Sequence, residues 1–230
     1  MEIYGLQKLT LLDYPGKTAC TLFTSGCNFR CPFCHNSSLV FNRVEPLDSG
    51  EIFSFLKKRA GILDGVCITG GEPLLNADIA EFIKEIKTLG YKVKLDTNGS
   101  FPDRLSSLIN EGLIDYVAMD IKSSKEGYQK AVGIENYNTQ NVERSVELLL
   151  SDKVPYEFRT TAVKGIHTEE DFEKIAKWIS GAKQYYIQNY RESDDILCSD
   201  NLSPFDENEL KMFKKRLESA VCKVILRGIE

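Results

Sequence analysis

Seven short apolar runs recur along the chain, and longer amphipathic segments fill the intervals between them. No other feature limits the fold as strongly. The runs are Thr18–Thr24, Gly65–Thr69, Lys92–Asp96, Tyr116–Asp120, Tyr156–Thr161, Gln184–Gln188 and Lys223–Leu226. Each is rich in β-branched, aromatic or leucine side chains and is bounded by Gly, Asn, Asp or Ser, which predicts strands. Helices are predicted over Ser49–Ala60, Ala77–Leu89, Pro102–Asn110, Thr139–Leu150, Thr168–Ser180 and Asp206–Ser219. Gly90 follows the second as a C-terminal stop, and Thr168-Glu-Glu-Asp171 opens the fifth with a capping-box-like start. Strand followed by helix, repeated, implies an α/β fold of parallel strands with right-handed crossovers. Ahead of it, Leu9-Thr-Leu-Leu-Asp-Tyr-Pro-Gly-Lys17 reads as an extended segment entering a Pro-Gly turn, an edge strand or hairpin.

A length of 230 residues is large for one compact domain, yet α/β barrels commonly reach it as one unit. With no low-complexity tract, strong repeat or linker, residues 1–230 are expected to form a single domain. The 42% hydrophobic and 27% charged residues are ordinary for a globular protein. A net charge of −5 argues against a general nucleic-acid binder. No apolar stretch approaches the roughly eighteen residues of a membrane span. Met1-Glu-Ile-Tyr-Gly-Leu-Gln-Lys8 lacks the marks of a signal peptide, so a cytoplasmic protein is expected.

Three of the seven cysteines, Cys27, Cys31 and Cys34, sit within eight residues at the spacing Cys-x3-Cys-x2-Cys. Three thiolates gathered so closely can hold a metal centre, one short of the four that close a structural zinc site or fully ligate a [4Fe–4S] cluster. A cluster held by three cysteines keeps one iron open for a substrate. The odd cysteine count argues against a disulfide framework. Cys20, Cys67 and Cys222 lie in strand-like runs and read as small buried hydrophobes, while Cys198 lies in a polar loop without a role.

In parallel α/β folds, sites gather at the C-terminal ends of strands. Here the cysteine loop follows the first core strand, Gly70-Gly-Glu-Pro73 the second, Asp96-Thr-Asn-Gly99 the third and Asp120-Ile-Lys122 the fourth. Arg159 lies within the fifth, and Gln188-Asn-Tyr-Arg191 closes the sixth. Each has a plain alternative reading alone: a glycine turn, an Asx turn, a surface ion pair. Together they would surround one site on one rim. Asp120 and Lys122 share a side of their strand by period-two alternation.

These residues resemble the radical S-adenosylmethionine (SAM) superfamily, and within it the activating enzymes of glycyl radical proteins. Cys27-Asn-Phe-Arg-Cys-Pro-Phe-Cys34 is similar to the superfamily's Cys-x3-Cys-x-aromatic-Cys signature, with Phe33 at the aromatic position. Gly70, Gly71 and Glu72 resemble the loop that receives the cofactor's amino group. Leu95-Asp-Thr-Asn-Gly99 and Met119-Asp-Ile-Lys122 look like strand-end motifs of pyruvate formate-lyase activating enzymes. Cys34-His-Asn36 and Asp13-Tyr-Pro-Gly16 point to the same branch. The layout, with Arg159-Thr-Thr161, looks most like the longer activating proteins of anaerobic ribonucleoside-triphosphate reductase.

The resemblance and the β/α pattern together imply a partial (β/α)6 TIM-like barrel with an N-terminal edge extension. The resemblance further implies a [4Fe–4S] cluster on Cys27, Cys31 and Cys34, with the fourth iron chelating S-adenosylmethionine. One electron would cleave the sulfonium and release a 5′-deoxyadenosyl radical that takes hydrogen from a glycine of a partner enzyme. By the same resemblance Phe33, Gly70, Gly71, Glu72, Asp96, Thr97, Asn98, Asp120, Lys122 and Arg159 would form the cofactor site. Asp96, Thr97 and Asp120 resemble a group that holds a monovalent cation, while Lys122 and Arg159 would face the cofactor carboxylate. Asp13, Asn189 and Arg191 are further candidates; Asn189-Tyr-Arg191 replaces a proline-tyrosine-histidine run of the lyase activases. The implied partners are a glycyl radical enzyme, anaerobic ribonucleotide reductase first, and an electron donor such as flavodoxin or ferredoxin. The alternatives are a lyase-type activase, a radical enzyme acting on a small molecule or peptide, a zinc module on these cysteines and His35, and a plain electron carrier.

Overall fold

The computed structural model describes residues 1–41, 43–193, 196–198 and 200–228. Strands β1 (Gly5–Thr10) and β2 (Ala19–Thr24) precede helices α1 (Ser37–Val40) and α2 (Ser49–Arg59). Then come β3 (Gly65–Gly70), α3 (Ile79–Thr88), β4 (Lys92–Thr97), α4 (Pro102–Asn110) and β5 (Tyr116–Asp120). The chain continues through α5 (Tyr128–Val132), α6 (Gln140–Leu150), β6 (Tyr156–Ala162) and α7 (Glu169–Trp178). It closes with β7 (Tyr185–Asn189), α8 (Glu207–Leu217) and β8 (Val224–Arg227).

Period-two alternation divides each strand between two environments. Val66 and Ile68, Val93 and Leu95, and Val117 and Met119 are fully buried, as are Ile83 and Ile86 on α3 and Phe172 and Ile175 on α7, all in one core. Each such side chain contributes about 1.5–3 kcal/mol by leaving water. The alternate residues Cys67, Thr69, Lys94, Asp96, Asp120 and Arg159 form a polar interior instead.

The strands form one sheet in the order β1 to β8. The β1–β2 pair is antiparallel, and every later neighbour is parallel. Sequential order with crossover helices winds the sheet into an open barrel, and the C-terminal ends of the parallel strands share one rim. The expected α/β barrel is present, with β8 as a further parallel strand. The edge strand lies earlier than Leu9-to-Lys17 suggested: β1 begins at Gly5, and only Leu9 and Thr10 belong to it. The Pro-Gly turn follows, closed by Lys17 N–H on Tyr14 O at 3.1 Å with Gly16 at φ 70°.

The six expected helices stand close to their expected bounds. Helices α1 and α5 are too short for periodicity to reveal, and both serve the cysteine loop. Gly26 N–H donates to Leu39 O of α1 at 2.8 Å, and Arg30 N–H donates to Val132 O of α5 at 2.8 Å.

All seven cysteines are free thiols. Cys20 and Cys67 are buried as expected, but Cys222 is exposed. It precedes β8 instead of belonging to it, and its apolar neighbours Val221 and Val224 made it look internal. Cys198 is exposed, and its N–H donates to Pro32 O at 2.9 Å, tying Cys198 to the cysteine loop. No helix among the described residues is long and apolar enough to cross a membrane.

Candidate active site

The cysteine loop leaves β2 and is held by its own backbone. Arg30 Nη1 donates to the carbonyls of Cys27 at 2.6 Å and Phe29 at 2.7 Å, and Cys34 N–H donates to Cys31 O at 3.0 Å. Phe29 is buried edge-on to Tyr128 and Tyr137, and Phe33 packs edge-on against His167. These aromatics turn the thiols toward the barrel mouth. Cys27 Sγ accepts Phe29 N–H at 3.4 Å and Asn98 Nδ2 at 3.9 Å. Burial pushes the Cys31 thiol up to about 12 and raises that of Cys27, while the nearby Lys122 charge favours both thiolates.

Two glycines let the β3 loop lie against this segment. A Cβ on Gly70, at φ 116°, would stand 2.3 Å from Thr24 O, and one on Gly71 only 1.9 Å from Gly26 O. The close approach is sealed by Gly71 N–H on Thr24 O at 3.0 Å and Glu72 N–H on Gly26 O at 2.8 Å. Glu72 then turns inward, fully buried. Its carboxylate accepts from Leu74 N–H at 3.0 Å, Thr97 Oγ1 at 2.9 Å and Asn98 N–H at 2.6 Å. Burial, partly offset by these donors, raises it to about 7. Glu72 thus braces the β3 loop against the β4 loop and does not reach the cavity wall.

A chain of alternating charges crosses β4, β5 and β6. Lys94 Nζ donates to Asp96 Oδ1, Arg159 Nη1 to Asp96 Oδ2 at 3.0 Å, Arg159 Nε to Asp120 Oδ1 at 2.9 Å and Lys122 Nζ to Asp120 Oδ2 at 2.9 Å. Burial opposes the charges of Asp96, Asp120, Lys122 and Arg159, yet their partners outweigh it. Arg159 and then Lys94 hold Asp96 below the usual carboxylate range, and Arg159 and Lys122 do the same for Asp120. Asp120 holds Lys122 well above its ordinary value. The period-two expectation for Asp120 and Lys122 is therefore met. Lys94 was missed, although Lys-x-Asp at strand spacing carried the signal.

His167 was also missed. It lies between β6 and α7, buried, with Nε2 2.7 Å from Lys122 O, and so fixes the backbone of the β5 loop. No local motif marks it, because the partner is 45 residues away.

At the rim these parts enclose a cavity of about 210 Å³. Cys27, Cys31, Phe33, Cys34, Gly70, Gly71, Asp96, Thr97, Asn98, Asp120, Lys122 and Arg159 all line it. Besides Glu72, three candidates lie elsewhere. Asp13 accepts Thr21 Oγ1 at 2.6 Å beside β2, and Asn189 exchanges hydrogen bonds with the Phe205 backbone at 2.9 and 3.1 Å. Arg191 is exposed beyond β7. Five strand ends, not six, therefore wall the cavity.

Residues 21–179, which carry this whole wall, match the model of the radical SAM superfamily. The chain belongs to that superfamily. Over its full length this radical SAM protein is similar to a Methanocaldococcus jannaschii protein provisionally named a glycyl-radical enzyme activating enzyme. The two are 32% identical, over 99% of this chain and 96% of the relative. A 7-carboxy-7-deazaguanine synthase of Koribacter versatilis is 30% identical over 64% of this chain and 62% of its own. Among solved structures, a domain of pyruvate-formate lyase-activating enzyme from Bacteroides vulgatus superposes with a TM-score of 0.58 at 17% identity. That match covers 71% of this chain and 99% of the domain, a likeness of fold.

Membership implies an iron–sulfur cluster, and the donor chemistry fits one. Among the described residues, no three Cys, His, Asp or Glu side chains close on a single ion. The three thiols instead stand around one cavity. Soft sulfur donors gathered there suit an iron–sulfur centre.

Proposed function

We propose that this radical SAM protein is an activase that generates a glycyl radical on a partner enzyme, anaerobic ribonucleoside-triphosphate reductase, using S-adenosylmethionine. The observation that carries this reading is the likeness to the Methanocaldococcus jannaschii relative, which runs over nearly all of both chains. The likeness to the deazaguanine synthase stops at about two thirds of each. The resemblance of the motif layout to ribonucleotide reductase activating proteins supports the choice of partner.

In this reading Cys27, Cys31 and Cys34 hold three irons as thiolates. When bound, the cluster supplies one electron to the cofactor sulfonium, and the cofactor supplies the carbon centre that abstracts hydrogen. Gly70 and Gly71, lacking Cβ atoms, offer backbone to the methionine amino group. Lys122 and Arg159 hold the methionine carboxylate by charge-assisted hydrogen bonds. Phe29, Phe33 and Val40 exclude water from the wall they line. The electron comes from a low-potential carrier such as flavodoxin or ferredoxin.

Mixing the reduced protein, S-adenosylmethionine and the reductase without oxygen should give a glycyl radical doublet by electron paramagnetic resonance. A doublet only with pyruvate formate-lyase would move the partner and keep the reaction. Formation of 7-carboxy-7-deazaguanine, with no doublet on any glycyl radical protein, would replace the reading with the synthase one.

A further inference from the structure

The carboxylates that would hold a monovalent cation are already engaged. Asp96 Oδ1 accepts from Lys94 and its Oδ2 from Arg159, while Asp120 Oδ1 accepts from Arg159 and its Oδ2 from Lys122. The third expected ligand is also occupied: Thr97 Oγ1 donates to Glu72 at 2.9 Å and accepts Gly99 N–H at 3.1 Å. Three cations against two carboxylates leave one positive charge on the network. Glu157, also in the barrel, has Arg227 at 3.9 Å and the Tyr116 hydroxyl at 3.0 Å. An added alkali ion would have to compete with the ammonium and guanidinium groups already seated on these oxygens of Asp96 and Asp120.

Lys94 sets this balance. Its side chain is 1% exposed, on the barrel-facing side of β4, and its ammonium contacts Asp96 with Cys67 Sγ at 3.9 Å. A buried lysine is retained at such a place only when its charge is matched. We infer that Lys94 is a positioning residue whose ammonium stands in for an exchangeable monovalent cation, so that this chain binds S-adenosylmethionine without sodium or potassium. The inference rests on the cofactor reading proposed above. Lys94 acts through Asp96, which orients Arg159, which together with Lys122 receives the carboxylate. The side chain is tethered to β4, whereas a bound alkali ion would exchange with the medium.

The test is the S-adenosylmethionine affinity of the reconstituted cluster-loaded protein, by anaerobic equilibrium dialysis. It is run in potassium, in sodium, and in N-methylglucamine as the only cation. The wild-type affinities should agree within about twofold. Lys94→Met should bind tenfold or more weakly in N-methylglucamine and recover on adding potassium or sodium. Lys94→Arg should behave as wild type. A tenfold loss for the wild type without alkali ions would overturn the inference whether or not the variants fold. So would a Lys94→Met protein indifferent to the salt. Binding that requires potassium leaves the cofactor reading standing, whereas no binding in any salt overturns both. Failure to find a glycyl radical partner leaves this result untouched.

Discussion

His167 holds Lys122 by its backbone: Nε2 lies 2.7 Å from the Lys122 carbonyl oxygen, while Nδ1 accepts the amide of Val163 at 3.1 Å. An amide N–H only donates, so Nδ1 carries the lone pair and Nε2 the proton. The ring is neutral, and burial lowers its pKa below the usual histidine value, against the pull of the Lys122 carbonyl and Asp171. The unfolded chain binds the second ring proton more tightly than the folded one. The stability His167 contributes is therefore full above about pH 6.5 and is lost as pH falls through the lower native value. Ring-nitrogen resonances should show the Nε2–H tautomer at pH 6.5. A His167→Asn protein should lose less stability than wild type on acidification below that point. A protonated ring at pH 7 would contradict the assignment.

Glu72 runs the opposite way. Its native value near 7 lies above that of an unfolded carboxylate. Its contribution is full below about pH 4.5 and is lost as pH rises through 7. Between those limits it partly cancels the trend of His167, and single variants separate them. In Glu72→Leu, Leu74 N–H, Asn98 N–H and Thr97 Oγ1 would lose their buried acceptor. Chemical denaturation at pH 6 should show a loss of about 1–3 kcal/mol. A stability equal to wild type would mean that the brace between the two loops is dispensable.

Gly71→Ala tests the contact between the glycine loop and the cysteine loop. The new methyl would meet the Gly26 carbonyl oxygen at 1.9 Å, backbone against backbone. The cost should be about 1–3 kcal/mol of stability, with poorer iron uptake because Cys27 follows Gly26 directly. Gly90→Ala, where no atom lies within 4 Å of the added methyl but φ is 87°, should cost only backbone strain and leave iron uptake normal. Equal iron content in the two variants would separate the loop contact from cluster assembly.

Ligand loss should discriminate among cysteines. Cys31→Ala leaves two thiols at the cavity, too few to hold the cluster, so anaerobic reconstitution should give little iron. Cys20→Ala removes a thiol buried in the core away from the cavity, and should load normally after a modest loss of stability. Full iron in the Cys31 variant would place the cluster elsewhere.

Much of this molecule was legible in the sequence because two periods coexist in it. Val66, Ile68, Val93 and Leu95 alternate with polar residues, while Phe172, Ile175 and Ala176 keep helical spacing, so strands and helices could be told apart locally. The rim motifs were legible because parallel strands send all their C-terminal ends one way. What stayed hidden depends on contacts across the fold. His167 meets Lys122 only after β6 and α7 are packed, and Glu72 turns inward because Thr97 and Asn98 of another strand receive it. Asn189 looked like a rim residue until the Phe205 backbone was seen to occupy its amide. Lys94 sat in plain view, but a lysine inside an apolar run reads as a solvent-facing residue unless the strand's other face is known to be polar.

In the proposed reaction the cavity between Cys31 and Arg159 directs hydrogen abstraction from a partner's glycine. The most direct measurement uses partner reductase labelled with α-deuterated glycine, mixed without oxygen with the reduced, cluster-loaded protein and unlabelled S-adenosylmethionine. The 5′-deoxyadenosine should carry one deuterium, in step with the glycyl radical formed, and none should form with the Cys31→Ala protein. Unlabelled 5′-deoxyadenosine formed at the same rate, with no radical on the partner, would contradict it.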